Sequence, residues 1–515
     1  MKFEDLHMNH RLGVLTLVSL LVLCPPTSIA GEDDWIHKGV APSFLEIYLK
    51  KFPPKLSEKA IVVSPMVLKD DPSFKPIGMK DLPEFSDDIE AKVTKSGKVH
   101  LNGLVSTINY EEFKAREAEG GQKIVLPKEL TGFKKDISAR LYLQPGRAPL
   151  AIPLLGFGML AESKAAQTYQ ADLYHAGNHV LCTDSIVTNG MNDATGLGVA
   201  GNAIAEAATT GKLIDSFLSM KDPKTGAFYR QRVSSVRLLG TSWGGIISMH
   251  VLRLPQAAQW PIDRALIVSI PLDLRETSQV LDKYHREDRN RTGILQLAKL
   301  AGGYTPRRDQ PDEQECCWMR AGVGYVFHGD LALLAQNNIK RYSPELMERF
   351  EAFERDAEVQ QIRKELEEQR KSRHDTEKRS LEERKSKLGD KEYDRLKDEL
   401  SEAQKSENDY AQRKLSDLRD WSFKHYVFLL ARPYWALDGD IADIGRLSVL
   451  LQGAPNFVQV VVAEDDPLNS PAVLNDIKSR YSAPQLLLLP HGGHLGFNGT
   501  KWFQAMAGKF FAFKP

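Results

Sequence analysis

From about residue 136 onward, short apolar runs of strand length alternate with longer stretches that carry apolar residues at helical spacing. Ile137 to Leu143 alternates in polarity like a half-buried strand. Pro149 to Leu155 is continuously apolar, as a strand covered on both faces must be, and it ends in Gly156-Phe157-Gly158. A helical stretch from Ala161 to His175 leads to a strand from Val180 to Asp184. A second helix, from Ala203 to Leu218, precedes a turn at Asp222-Pro223-Lys224-Thr225-Gly226. The run Val233 to Leu239 predicts a strand, Ile246 to Leu252 a helix, and Ala265 to Ile270 a further strand. Strands alternating with helices predict an α/β protein with a mostly parallel sheet covered by helices on both faces.

The alternation then stops, and residues 275–445 read as helical and irregular. Of the 40 residues 361–400, 25 are charged, 12 acidic and 13 basic, so no wide apolar face is available for burial. Good helix formers dominate, and Leu388-Gly389-Asp390 reads as a helix stop, a C′ glycine and a new N-cap. This predicts a long antiparallel helical hairpin over 345–388 and 391–420, a solvated pair laced by i,i+4 ion pairs. Its second reading is an arm that touches a protein or envelope partner. Strand-like runs resume at Val458 to Val462 and Leu486 to Leu489, so the helical region is an insertion within one domain. The expected organisation is a signal peptide over 1–30, an N-terminal extension packed on the core over 31–134, a core of 135–275 and 446–515, and a helical cap or lid over 276–445.

The signal peptide rests on the apolar run Leu12 to Leu23, which makes ~18 Å of helix and is too short to span a bilayer. Ser28 and Ala30 suit a cleavage after Ala30, which predicts a secreted or periplasmic protein. The formal net charge is zero over 515 residues, which lacks the basic excess of a nucleic-acid binder. Beyond residue 30 only Cys182, Cys316 and Cys317 remain, too few and of the wrong parity for a disulfide framework. No cysteine–histidine spacing resembles a zinc site.

Chemistry concentrates where the strands end. Gly240-Thr241-Ser242-Trp243-Gly244-Gly245 contains G-x-S-x-G between a strand and a helix. The flanking glycines let strand and helix approach while the serine hydroxyl is thrust out of the sharp turn between them. A serine nucleophile needs a base, and the base needs an orienting carboxylate. Glu464-Asp465-Asp466-Pro467-Leu468 follows one resumed strand, and His491-Gly492-Gly493-His494-Leu495-Gly496-Phe497 follows the next. Parallel sheets place catalytic groups at the carboxyl ends of their strands, and all three groups meet that condition in the order Ser…Asp…His.

This set of motifs resembles the α/β-hydrolase superfamily over residues 135–275 and 446–515. The resemblance implies an α/β-hydrolase fold with Ser242 as nucleophile, His494 as base and Asp466 as orienting acid. Glu464 and Asp465 are the alternatives for the acid, and His491 for the base. It also implies an oxyanion hole from the Trp243 N–H and the Phe157 N–H, although Leu155 stands where many members carry a histidine. A cap commonly enters after the strand that follows the elbow, and 224 residues separate Ser242 from Asp466. The implied function is a serine esterase or thioesterase acting on a small-molecule or lipid-like acyl substrate, with no cofactor and no metal. A serine peptidase is one alternative, and a non-catalytic binding protein using the charged arm is the other. Gly196-Leu197-Gly198-Val199-Ala200-Gly201 matches G-x-G-x-x-G, but it follows the loop from Thr188 to Asp193 rather than a strand, which argues against nucleotide binding.

Overall fold

The computed structural model describes residues 63–84, 121–277, 344–401 and 445–513, with short gaps at 198–200, 275, 388, 399, 465, 467, 482–484, 491–493, 496 and 498–499. The expected signal peptide, most of the N-terminal extension, Cys316, Cys317, His491 and the expected helix beyond 401 lie outside these residues.

Eight strands form one sheet: β1 (Gln122–Leu126), β2 (Ile137–Tyr142), β3 (Ala148–Leu154), β4 (His179–Thr183), β5 (Val233–Thr241), β6 (Ile262–Val268), β7 (Val458–Ala463) and β8 (Leu486–Leu489). Their order is β1-β2-β4-β3-β5-β6-β7-β8. β2 runs antiparallel to β1 and β4, while β4, β3, β5, β6, β7 and β8 pair in parallel. The helices that carry the argument are α1 (Lys164–His175), α2 (Asn189–Thr195), α3 (Ala203–Ser219), α4 (Trp243–Val251), α5 (Pro344–Arg355), α6 (Ala357–Arg384), α7 (Pro471–Arg480) and α8 (Lys501–Phe510).

The apolar runs explain which strands are central. Every residue of β3 and of β7 is buried, as expected of parallel strands covered on both faces. β2 alternates buried and more exposed positions in its first half, in keeping with a place near the sheet's edge. The one polar residue inside β7, Gln459, is fully buried, and its side-chain amide bonds both the N–H and the C=O of Ile77 at 3.1 and 3.0 Å. That pairing, the Asp71–Arg264 ion pair at 3.3 Å and the edge-on contact of Phe74 with Phe510 hold residues 63–84 against the core.

Three features depart from the expected element map. The sheet begins before residue 135: β1 lies at Gln122–Leu126, where its partly exposed polar positions hide it among lysines and glutamates. The loop expected from Thr188 to Asp193 is helical, because Thr188 N-caps α2 by accepting from the Met191 N–H. The first arm of the charged hairpin is two helices, not one. Asp356 interrupts it as an N-cap, its Oδ1 accepting from Glu358 and Val359 at 3.0 and 3.3 Å.

The charged helices form a compact unit of their own. Across the break, Arg363 binds both carboxylate oxygens of Glu354 at 2.7 Å, over a small core of Phe350, Phe353 and Val359. Helix resumes at residue 390, and the Tyr393 hydroxyl donates back to Glu382. In the sheet unit, the chain flanking this insertion is clamped. Asp273 bridges Arg446 with an ion pair of 3.1 Å, and the Leu447 N–H donates to Leu272 at 2.9 Å.

Candidate active site

Ser242 joins the end of β5 to the first turn of α4, and its backbone stands at φ 53°, ψ −122°. A side chain at positive φ is strained by about 1–3 kcal/mol, so the surroundings must hold it there. They do so by close approach. A Cβ on Gly244 would lie 2.0 Å from the Leu154 carbonyl oxygen, and one on Gly240 would lie 2.7 Å from the Gly245 Cα. The glycines therefore let α4 start hard against the ends of β3 and β5. The Ser242 N–H donates to the Val268 carbonyl at 2.8 Å, which ties the turn to β6.

His494 follows β8 by five residues and Asp466 follows β7 by three. The structure brings both to Ser242. His494 Nε2 is 2.9 Å from Ser242 Oγ, and its Nδ1 is 2.9 and 3.2 Å from the two oxygens of Asp466. All three residues are buried. A carboxylate only accepts, so Nδ1 carries the proton and Nε2 is left to accept from the serine hydroxyl. Asp466 Oδ1 also accepts from the Leu468 N–H at 2.9 Å, which orients the carboxylate. Of the alternatives, Glu464 pairs instead with Lys478 at 2.7 Å, and His491 and Asp465 lie outside the described residues.

Trp243 is the first residue of α4, so its N–H has no intrahelical acceptor and sits at the positive end of the helix dipole. Phe157 lies in the loop after β3, one residue beyond Gly156, whose absent Cβ would stand 3.1 Å from Ser242 Cβ. The Gly156 N–H donates to Thr241 Oγ1 at 3.1 Å. The Phe157 and Trp243 rings meet edge to face at 6.4 Å. The two candidate oxyanion donors thus flank Ser242 from β3 and α4.

Residues not singled out from sequence support this arrangement. Ser269, at φ 48° just past β6, accepts from the Leu495 N–H at 3.2 Å and so holds the segment after His494. Phe497 packs between Trp502 and Phe503, anchoring the same segment to α8. Asn469 Oδ1 accepts from the Leu272 N–H at 2.8 Å, and Thr277 Oγ1 donates to the Leu468 carbonyl at 3.0 Å. These bonds join the loop after β6 to the loop that bears Asp466. Ser269 lies at a strand's carboxyl end, a position that could have flagged it. Asn469 and Thr277 act through partners far away in sequence, which no local pattern reveals, whereas Phe497 belongs to the motif after β8 and packs on its near neighbours in α8.

Glu206, on α3, is completely buried. Its Oε2 accepts from Trp243 Nε1 and its Oε1 from the Gly201 N–H, both at 2.6 Å. Burial pushes its carboxyl from the ordinary 4.5 up to about 7, against the pull of these donors. The folded protein therefore holds a proton here that the unfolded chain has released. This group's contribution to stability is full below pH 4.5 and is lost as pH rises through 7. His179 runs the other way. Burial lowers its pKa to about 4, so its contribution is present above pH 6.5 and lost as pH falls through 4. Differences between proteins isolate Glu206. In urea unfolding, the stability of Glu206→Gln relative to wild type is expected to rise by about 2–3 kcal/mol between pH 5 and 8. A difference that stays flat with pH contradicts a carboxyl raised by burial.

Cys182 is buried in β4, and burial pushes its thiol far up, as suits a small core residue. Among the described residues no group of histidine, cysteine and acidic side chains could hold a metal ion, and no helix is long and apolar enough to cross a membrane.

The strand order, the reversed β2 and the serine turn at the end of β5 define an α/β-hydrolase fold, mostly parallel and flanked by helices, with the helical region 357–398 inserted. No family model matches the sequence, and no curated protein matches it significantly. Some solved structures are similar to it at low identity. An esterase from Pyrobaculum calidifontis is 13% identical with a TM-score of 0.25, over 38% of this chain and 57% of that one, so the match spans little more than half the length of that esterase. The thioesterase domain from the curacin biosynthetic pathway is 14% identical with a TM-score of 0.33, over 76% of this chain and 99% of that one. The α/β hydrolase GrgF from Penicillium sp. sh18 is also 14% identical with a TM-score of 0.33, over 73% and 92%.

Proposed function

We propose that this protein is a serine hydrolase that cleaves a carboxylic ester or thioester through an acyl-enzyme on Ser242. The observation that carries the reading is the unbroken hydrogen-bonded chain from the Asp466 carboxylate through His494 to Ser242 Oγ. A hydroxyl is a weak nucleophile at its own pKa, and an adjacent oriented base is what activates it. His494 Nε2 takes the Oγ proton as Oγ attacks the acyl carbon. The Trp243 and Phe157 N–H groups hold the oxyanion, and Asp466 stabilises the imidazolium. Collapse expels the alcohol or thiol, protonated by His494. Water then attacks the acyl-enzyme by the same route, releases the acid and restores Ser242. Esters and thioesters suit this site because their leaving groups ask less of the general acid than an amine does. No cofactor enters the scheme. A secreted or periplasmic setting is part of the proposal, on the apolar run Leu12 to Leu23 with Ser28 and Ala30 behind it.

The test is hydrolysis of p-nitrophenyl esters of increasing acyl length by wild type and Asp466→Asn. Wild type is expected to turn over at least the short esters. Asp466→Asn keeps the shape but favours the wrong His494 tautomer, and is expected to lower kcat by about 10⁴-fold. Folded wild type that hydrolyses none of the esters, or an Asp466→Asn variant within tenfold of it, contradicts the proposal.

A further inference from the structure

The buried carboxyl of Glu206 has no part in the proton transfers proposed above, yet it touches the residue next to the nucleophile. Glu206 sits in the first turn of α3, fully shielded from solvent, where an ionisable side chain is costly unless its bonds require it. Both of its oxygens are engaged by N–H donors, the Trp243 indole on one and the Gly201 backbone on the other, each at 2.6 Å. Once ionised, above about pH 7, the carboxyl serves this pair of donors with acceptors alone, whereas a glutamine must turn its NH₂ group toward one of them. The residue type thus matches its surroundings. Buried acceptors of this kind hold a side chain in one orientation, and the side chain held here is Trp243.

Trp243 is fixed at two places. Its Nε1 is held by Glu206, and its ring meets the Phe157 ring edge to face at 6.4 Å. Its backbone N–H opens α4 directly after Ser242. The indole therefore connects Glu206 to both N–H groups assigned to the oxyanion. We infer that Glu206 is a positioning residue, which locks the Trp243 indole and through it the Trp243 and Phe157 N–H groups at the spacing the oxyanion needs. This inference rests on the serine-hydrolase reading. It goes beyond that reading by assigning the precision of the oxyanion site to a carboxyl on another helix.

The separation of kcat from KM tests it, because an oxyanion forms only after substrate has bound. With a short p-nitrophenyl ester, Glu206→Gln is expected to lower kcat about 10- to 100-fold, as a small misplacement of transition-state donors does, with KM changed less than about twofold. Trp243→Phe keeps a ring against Phe157 but removes the indole N–H, and is expected to lower kcat to a similar degree. The double variant is expected to fall no further than the worse single one, because both cut one link. An independent signal comes from the indole N–H resonances of the seven tryptophans. The resonance that Trp243→Phe removes is expected far downfield in wild type and shifted upfield in Glu206→Gln. Should Glu206→Gln not fold, Trp243→Phe alone decides by its kcat. Wild-type turnover with kcat kept within twofold in the folded variants overturns the inference and leaves the hydrolase reading standing. A parallel loss in KM, or additive losses in the double variant, overturns it as well. Folded wild type without turnover overturns both.

Discussion

Ser242→Ala is expected to lower kcat for a p-nitrophenyl ester by about 10⁶-fold, the scale on which serine enzymes lose rate when the nucleophile is removed. The geometry explains why nothing nearby replaces it. His494 Nε2 faces Ser242 Oγ at 2.9 Å, and without that oxygen the base can only activate a water that is not held on the acyl carbon. The loss should appear in kcat far more than in KM, since Oγ bonds the substrate only as the reaction proceeds. Stability separates this effect from unfolding. Alanine inherits the strained backbone at φ 53° and should unfold close to wild type, whereas Ser242→Gly relieves the strain and should gain about 1 kcal/mol while remaining inactive. A stable, folded Ser242→Ala protein that retains even a hundredth of wild-type kcat contradicts the nucleophile assignment.

The second large effect is structural. A Cβ on Gly244 would stand 2.0 Å from the Leu154 carbonyl oxygen, 2.5 Å from its carbon and 2.8 Å from the Leu155 carbonyl oxygen. All three are backbone atoms at the end of β3, so no side-chain rotation can make room. Either α4 leaves the sheet or the end of β3 moves, and both carry a wall of the site. Gly244→Ala is expected to cost more than about 3 kcal/mol in urea unfolding and to abolish turnover. Gly508, inside α8, is the control, because nothing lies within 4 Å of its added Cβ. Gly508→Ala is expected to gain about 0.5–1 kcal/mol from the helix propensity of alanine. Equal stability losses at the two positions contradict the close approach of α4 to β3.

How much could be read from the chain follows from where each residue's partners lie. Pro149 to Leu155, Val458 to Val462 and Leu486 to Leu489 announce β3, β7 and β8, because buried parallel strands are largely apolar, Gln459 being the one polar residue among these runs. β1 gives no such signal, since its Gln122, Ile124 and Val125 remain half-buried or exposed. α2 carries a weak helix signal because its Gly190 and two asparagines disfavour helix, and the Thr188 N-cap, the left-handed Gly196 C-cap and the burial of Met191 and Asn192 hold it. The break at Asp356 is local in origin, a capping aspartate before Ala357 and Glu358, but it lies within a long charged stretch of good helix formers that masks it. The same contrast holds at the site. Ser242, Asp466 and His494 each follow a legible strand, so the parallel arrangement puts all three at the carboxyl end of the sheet. Glu206, Ser269 and Asn469 meet their partners across 37, 226 and 197 residues, and only the folded chain makes those pairs visible.

A covalent label reports on Ser242 most directly. A fluorophosphonate reacts with a serine hydroxyl only when an adjacent base activates it, and it leaves a stable adduct of known mass. Folded wild-type protein is treated with the probe, digested, and mapped by peptide mass spectrometry. One adduct is expected, on Ser242, absent from Ser242→Ala and strongly slowed in Asp466→Asn. An unlabelled Ser242 in the folded wild type, or equal labelling that persists in Ser242→Ala, contradicts the nucleophile assignment.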